Sequence, residues 1–185
     1  MSITPQKAQH VFEESDCIHD AAAVESALDR MAATISAELK DADPVVLCVM
    51  TGGVVAAGRL LTRLDFPLTL DYVHATRYRG GTRGDDLEWR TRLNGELKER
   101  NVLILDDILD EGYTLQAIVT ACQDLGAARV VSAVLVAKRH DRGSGFQADI
   151  VGLEVPDRYV FGYGMDYHGY WRNAPGIYAL PETHS

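Results

Sequence analysis

Long apolar runs and a hydrophobic leader are both missing from this sequence. No stretch of its 185 residues approaches the roughly 18 to 20 consecutive apolar residues that a membrane-spanning helix requires. The first residues, MSITPQKAQHVFEESD, lack the apolar core of a signal peptide. We therefore expect a cytoplasmic protein with no membrane partner.

Cysteine and histidine are too few and too scattered to indicate a metal or disulfide framework. The three cysteines, Cys17, Cys48 and Cys122, are widely spaced and odd in number. Two of them, Cys48 and Cys122, lie in apolar runs, as buried thiols do. The six histidines show no metal-ligand spacing, which disfavours a metal held by histidine.

Basic residues are in the minority, because 18 lysines and arginines face 27 acids and the formal net charge is −9. Nucleic-acid binding draws on clustered cationic surface, so this balance disfavours a nucleic-acid partner. Small phosphorylated ligands stay compatible with it, because backbone amides, a magnesium ion and a few cations can hold them.

The apolar pattern predicts one domain, residues 1–185, of the α/β class with a mainly parallel sheet. Two amphipathic helices open the chain, the second from about Asp20 to Leu39. Later apolar runs predict strands at 45–50, 68–78, 102–105, 130–138 and 149–156. A helix to about Leu64 follows the first of these strands, and Gly126 ends the helix after the third. Glycines and charges predict a long mobile loop at 79–90.

The stretch LILDDILDEGYTL, Leu103–Leu115, leads from a predicted buried strand into a helix through four acids, Asp106, Asp107, Asp110 and Glu111. Gly112 permits a tight turn, and the amides from Asp110 to Thr114 can form a cup for a phosphate. The acids suit a ligand whose hydroxyls need strong acceptors and whose diphosphate arrives with magnesium. The alternative is that the first two acids are solvated and the others complement the helix dipole.

The same run resembles the phosphoribosyl-diphosphate signature of the type I phosphoribosyltransferases. The segment MTGG precedes this run, and the later segments LVAKRH, VGLEVPDRYVFGYGMDY and YWRNAPGIY narrow the resemblance to the hypoxanthine-guanine phosphoribosyltransferases, over roughly residues 50–180. The resemblance implies the type I phosphoribosyltransferase fold, a mainly parallel sheet flanked by helices with a mobile loop. It also implies a small hood subdomain, built from the N-terminal segment and about residues 157–185, and a homodimer or homotetramer.

The resemblance implies a set of residues for phosphoribosyl diphosphate. Asp106 and Asp107 hold the ribose hydroxyls, and the 5′-phosphate binds Asp110, Glu111, Gly112, Tyr113 and Thr114. The pyrophosphate lies against Thr51, Gly52, Gly53 and Arg172, and Mg²⁺ is held by Asp166 together with Asp106 and Asp107. Tyr78 belongs to the mobile loop, which closes over the reaction and excludes water.

The resemblance implies a second set for the purine. Asp110 accepts the N7 proton as catalytic base, and Lys138 donates to the O6 oxygen of a 6-oxopurine. Tyr159 stacks on the base, and the Val160 backbone meets its pyrimidine edge. Because lysine has donors and no acceptor, the amino group of adenine would be disfavoured at Lys138.

Three residues depart from the pattern of many relatives, which carry Lys in place of Thr51, Glu in place of Asp106 and Thr in place of Glu111. Without the lysine, we expect either a weaker pyrophosphate contact or its transfer to loop arginines such as Arg79 or Arg83. We expect the side chain of Glu111 to point away from the phosphate, so that only its N–H faces the ligand.

The implied function is purine salvage, in which phosphoribosyl passes from phosphoribosyl diphosphate to hypoxanthine or guanine. The products are IMP or GMP and pyrophosphate. Two alternatives stay open, an enzyme that prefers xanthine and a nucleotide-sensing regulator that kept the fold without catalysis.

Overall fold

The computed structural model of the chain describes residues 3–77, 87–91 and 97–181. Tyr78, Arg79 and Arg83 lie outside the described residues, and so does most of the predicted mobile loop. In chain order the elements are α1 (Pro5–Glu14), β1 (Asp16–His19), α2 (Ala21–Leu39), β2 (Val45–Val49), α3 (Gly53–Leu61), β3 (Thr69–Arg77), β4 (Leu87–Thr91), β5 (Asn101–Leu109), α4 (Tyr113–Asp124), β6 (Arg129–Arg139), β7 (Ile150–Pro156), β8 (Val160–Phe161) and β9 (Ile177–Ala179).

The main sheet has the strand order β4-β3-β2-β5-β6-β7. Five strands, β3, β2, β5, β6 and β7, run parallel, and β4 pairs antiparallel with β3. Helices α2 and α3 pack on one face and α4 packs on the other. Every residue of β2 is buried, as expected for a strand covered on both faces. The predicted α/β fold with a mainly parallel sheet is therefore confirmed.

Two predicted boundaries are wrong for local reasons. Helix α3 ends at Leu61, because the Thr62 hydroxyl donates to the Arg59 carbonyl at 3.0 Å and the chain turns, while Leu64 stays in the core. The predicted loop at 79–90 gives way to strand β4 from Leu87. Its sequence, LEWRT, alternates apolar and polar residues, a strand signal that the nearby glycines obscured.

The third difference is that β5 continues four residues beyond its predicted end at Leu105. Its parallel pairing with β2 stops at Leu105, but its pairing with β6 continues to Leu109, opposite Ala137. The acids Asp106 and Asp107 therefore lie within a strand that has lost one neighbour. This opening falls between β2 and β5, where the strand order reverses, and ligands of α/β sheets bind at such positions.

A second sheet of three short strands, in the order β1-β9-β8, joins the start of the described chain to its end. Aromatic side chains hold α1 against it. Phe12 stacks on Trp171 with ring centroids 4.4 Å apart and tilts against Tyr178 at 4.8 Å. The indole of Trp171 donates to the carbonyl of Ala8 at 2.7 Å. No helix of the described residues is long and apolar enough to cross a membrane.

An ion-pair cluster around Glu25 ties the helices to the segment after β8. Its carboxylate accepts from Arg59 at 2.8 Å, from the Tyr163 hydroxyl at 2.8 Å and from Arg63. Hydrogen bonding from Arg59, which outweighs the opposing effect of burial, lowers the pKa of Glu25 from 4.5 to about 2. Tyr163 precedes Gly164, so this cluster fixes a segment that borders the crevice.

Glu25→Gln should lower the free energy of unfolding at pH 7 by about 1–2 kcal/mol, because the charge-assisted hydrogen bonds weaken. Since the folded pKa lies below the usual 4.5, the carboxylate stabilises above that pH, and its contribution is lost as the pH falls towards 2. Urea midpoints at pH 7 and near pH 2.5 measure the difference, with exposed Glu13→Gln as control. A difference that does not shrink in acid would contradict this account.

Candidate active site

A cavity of about 320 Å³ opens at the carboxyl ends of β2 and β5. Eight of the residues predicted from the sequence line it: Gly52, Asp106, Asp107, Asp110, Glu111, Gly112, Tyr113 and Thr114. Most of them come from the acidic stretch, which therefore borders a cavity. The alternative, that Asp106 and Asp107 are freely solvated, disagrees with this placement, because Asp107 is only 9% exposed.

The turn from β5 into α4 depends on Gly112. Its φ of +83° lies in the left-handed region, which glycine adopts without a steric cost. The N-cap of α4 is Gly112 itself, which has no side chain with which to cap the amino end of the helix. Thr114 is half-buried in the first turn of this helix. The geometry suits an anion at the helix end, where the dipole is positive.

The carboxyl of Asp107 lies between two glycines. A Cβ added at Gly52 would stand 1.8 Å from Asp107 Oδ2, and one added at Gly164 would stand 2.1 Å from the Gly52 carbonyl oxygen. Burial raises the pKa of Asp107, although the Asp106 hydrogen bond and the Arg172 charge oppose the rise. Burial, together with the charge of Asp107, also raises the pKa of Asp106 well above its usual value.

Asp110 lies in a different electrostatic environment. Lys138 Nζ donates to its Oδ2 at 2.7 Å, and the opposite oxygen meets His140 Nε2 at 2.8 Å and Arg142 Nη2 at 3.3 Å. Burial alone would raise the pKa of Asp110, but the hydrogen bonds from Lys138 and His140 and the nearby charges lower it. Asp110 is therefore ionised at neutral pH, as a general base must be.

The segment after β8 brings a third group to the crevice. Arg172 pairs with Asp166 at 2.6 Å and donates to the Gly164 carbonyl at 2.6 Å. The Tyr159 hydroxyl donates to the Asp166 carbonyl at 3.1 Å. The side chain of Tyr159 is 46% exposed, which leaves area for stacking on a planar ligand.

Other predicted residues are placed less directly. Thr51 is exposed in the loop after β2, Gly53 is buried at the start of α3, and the Val160 side chain belongs to the core. Among the described residues, Asp166 does not converge with Asp106 and Asp107 on one point. The one group there whose ligand atoms come close enough to share an ion is Asp110, His140 and Asp157. Lys138 and Arg142 already pair with its carboxylates, so an added cation would be repelled.

Three residues that complete this arrangement, His140, Arg142 and Asp157, were not predicted from the sequence. Arg142 joins Asp110 to Asp157, which it meets at 2.6 Å, and its Nε lies 3.8 Å from Glu111 Oε1. The charge of Glu111 is thus offset by Arg142 beside the loop between β5 and α4. The one sequence feature that could have indicated His140 and Arg142 is the basic run KRHDR at a strand end, but such a run is equally typical of a solvated surface loop.

The phosphoribosyl transferase domain family matches residues 14–168, which gives the class of protein that this fold and site define. The hypoxanthine-guanine phosphoribosyltransferase of Staphylococcus epidermidis is 31% identical over 158 residues, 85% of this chain and 88% of that protein. The hypoxanthine-guanine-xanthine phosphoribosyltransferase of Tritrichomonas foetus is 32% identical over 165 residues, 86% of this chain and 88% of that protein. The chain belongs to the hypoxanthine-guanine phosphoribosyltransferase family.

The fold agrees with that assignment. The crystal structure of a hypoxanthine phosphoribosyltransferase from Staphylococcus aureus superposes with a TM-score of 0.87 at 26% identity. The superposition covers 94% of this chain and 96% of that chain. The type I phosphoribosyltransferase fold expected from the sequence is therefore confirmed.

Gly52→Ala should displace the carboxyl of Asp107, because the new Cβ would overlap Oδ2. Overpacking of this kind costs about 1–3 kcal/mol of stability. Gly58→Ala on α3 is the matched control: its Cβ would meet no atom within 4 Å, and alanine favours a helix by about 1 kcal/mol. Urea unfolding of both variants separates the two effects. Equal free energies of unfolding for Gly52→Ala and Gly58→Ala would contradict this account, because the carboxyl of Asp107 would then move aside without a cost in stability.

Proposed function

We propose that the protein transfers a phosphoribosyl group from phosphoribosyl diphosphate to N9 of hypoxanthine or guanine. The products are IMP or GMP and pyrophosphate. The observation that carries this proposal is the contact between Asp110 and Lys138, 2.7 Å apart, next to the cavity that holds Asp106 and Asp107. A proton acceptor, Asp110, and a hydrogen-bond donor, Lys138, thus lie next to an acidic cavity that suits a ribose.

The Asp110 and Lys138 pair matches one edge of a 6-oxopurine. Asp110 would accept the proton of N7, and Lys138 would donate to the neighbouring O6. The side chain of Lys138 is only 12% exposed. A purine that presented a donor to it would leave one of the buried N–H groups of Lys138 without an acceptor. That is the physical reason to expect exclusion of adenine. Tyr159 would stack on the purine, with the Val160 backbone at its pyrimidine edge.

The remaining cavity residues would hold the sugar phosphate. Asp106 and Asp107 would accept from the ribose hydroxyls, and the amides of 110–114 with the Thr114 hydroxyl would bind the 5′-phosphate. The segment 51–53 would border the pyrophosphate through its amides. Arg172 would pair with the pyrophosphate, since its guanidinium suits bidentate phosphate contacts.

We propose Mg²⁺ as the cofactor. Asp106 and Asp107, which are neighbours at the crevice, fit it, because they offer carboxylate oxygens, the ligands that hard cations take, whereas Asp166 is too far from them to bind the same ion directly. The raised pKa values of Asp106 and Asp107 also show two crowded carboxyls that a cation would relieve. When bound with the diphosphate, the ion neutralises charge on the departing pyrophosphate. Asp166 would reach it through water, since Arg172 and the Gly169 amide occupy both its oxygens.

Two further expectations are part of the proposal. The three-stranded sheet with α1 would form the hood above the crevice, because the loop between β8 and β9 carries Asp166 and Arg172. A homodimer or homotetramer would cover exposed apolar side chains such as Leu70 and Tyr72, which are 59% and 51% exposed beside α3. Sedimentation analysis of the purified protein tests the second point.

Initial rates with phosphoribosyl diphosphate and magnesium, measured separately with hypoxanthine, guanine, xanthine and adenine, test the proposal. Hypoxanthine and guanine should turn over, and adenine should be about 5- to 150-fold slower, because an unpaired buried donor costs about 1–3 kcal/mol. Xanthine is a specific alternative, since the Tritrichomonas foetus relative is named for it. Tight nucleotide binding without turnover of any base would favour the regulator instead.

Asp110→Asn should lower kcat by about 10²–10⁴-fold, the usual contribution of a positioned general base. The amide keeps the shape but cannot accept a proton, so KM for phosphoribosyl diphosphate should change little. Steady-state kinetics measure both constants, with exposed Asp124→Asn at the far end of α4 as the control. An unchanged kcat would remove Asp110 from the mechanism.

A further inference from the structure

His140 is buried beside the base candidate and has one hydrogen-bond partner. Its side chain is 8% exposed, and Nε2 lies 2.8 Å from Asp110 Oδ1. Its other ring nitrogen, Nδ1, is buried without a partner within the described chain. Burial of a polar nitrogen without a partner costs free energy. The one hydrogen bond that the His140 ring makes within the described chain is to Asp110.

The hydrogen bonds define which ring nitrogen carries the proton. An ionised carboxylate only accepts, so Nε2 must be the donor towards Asp110. Nδ1 has no partner within the described chain, so Nε2–H is the one ring group that makes a hydrogen bond. His140 and Lys138 then hold opposite oxygens of one carboxylate, and together they fix its plane.

We propose that His140 is a positioning residue of this enzyme, which orients Asp110 towards the purine and tunes its affinity for a proton. The inference rests on the proposed function, since Asp110 must be the base that meets the purine. Other ionisable groups face the same pair, namely Lys138 on β6, Glu111 after β5, Arg142 after β6 and Asp157 after β7. His140 differs from Arg142 because its one hydrogen bond within the described chain is directed at Asp110, whereas Arg142 is shared between Asp110 and Asp157.

A matched pair of amides tests the role. The amide nitrogen of glutamine can take the place of Nε2, whereas that of asparagine corresponds to Nδ1 and falls short of Asp110. His140→Asn should therefore lower kcat by about 10- to 100-fold, the cost of misplacing a reacting group. His140→Gln should retain most of kcat, and KM for phosphoribosyl diphosphate should change little in both. His10→Asn, at an exposed position of α1, is the control for loss of a histidine.

The pH profile separates positioning from a merely structural role. A donor to the ionised form lowers the pKa of a carboxyl, so loss of His140 should raise the pKa of Asp110. The acidic limb of kcat/KM should then move to higher pH in His140→Asn and stay near the wild-type position in His140→Gln. Equal losses in the two variants, or a limb that does not move, would overturn the proposal.

A measurement without substrate keeps this inference distinct from the proposed function. Titration of the Asp110 carboxyl carbon by NMR should show the same order, with His140→Asn above wild type and His140→Gln close to it. If wild type turns over no base, the proposed function fails, while this titration still decides whether His140 acts on Asp110. Identical titration in all three proteins would show that it does not.

Discussion

The site depends on the unequal lengths of three neighbouring strands. Pairing between β2 and β5 stops at Leu105, whereas β5 and β6 stay paired as far as Leu109. The backbone that carries Asp106 and Asp107 is therefore held on one side and open on the other. The loops after β2, β5 and β6 all begin at this edge, because parallel strands end there together. The crevice, the close approach of Gly52 and the reach of Lys138 to Asp110 follow from that difference.

The four acids of the stretch have two different electrostatic roles. Asp107 is buried, Asp106 is half-buried beside it, and removal from water raises the pKa of both. Asp110 meets Lys138, His140 and Arg142, which hold its pKa low and keep it ionised. Glu111 is offset by Arg142 at 3.8 Å. Carboxylates within a few residues of one another therefore differ in their protonation behaviour, as the proposal that they meet different parts of one ligand requires.

Local sequence patterns predicted most of the sheet and the α4 turn, since strand burial and the left-handed glycine at Gly112 are local properties. The extension of β5 was missed because it depends on the length of β6, which is distant in sequence. The burial of His140 was missed for a related reason. The segment after β6 folds back on the loop between β5 and α4, where the Ser144 amide donates to the Glu111 carbonyl at 2.8 Å. Nothing in the run KRHDR distinguishes that fold from a solvated basic loop.

This returning segment joins the two halves of the site. Through Ser144 it holds the backbone of Glu111, which precedes the amides proposed for the phosphate, and through Arg142 it reaches Asp157 near the proposed stacking residue. The fit is close, because a Cβ at Gly143 would stand 2.3 Å from the Glu111 carbonyl oxygen. His140 begins the same segment and holds Asp110. The positions of Asp110 and of the loop between β5 and α4 are therefore set by one stretch of chain, and a shift of that stretch would displace both at once.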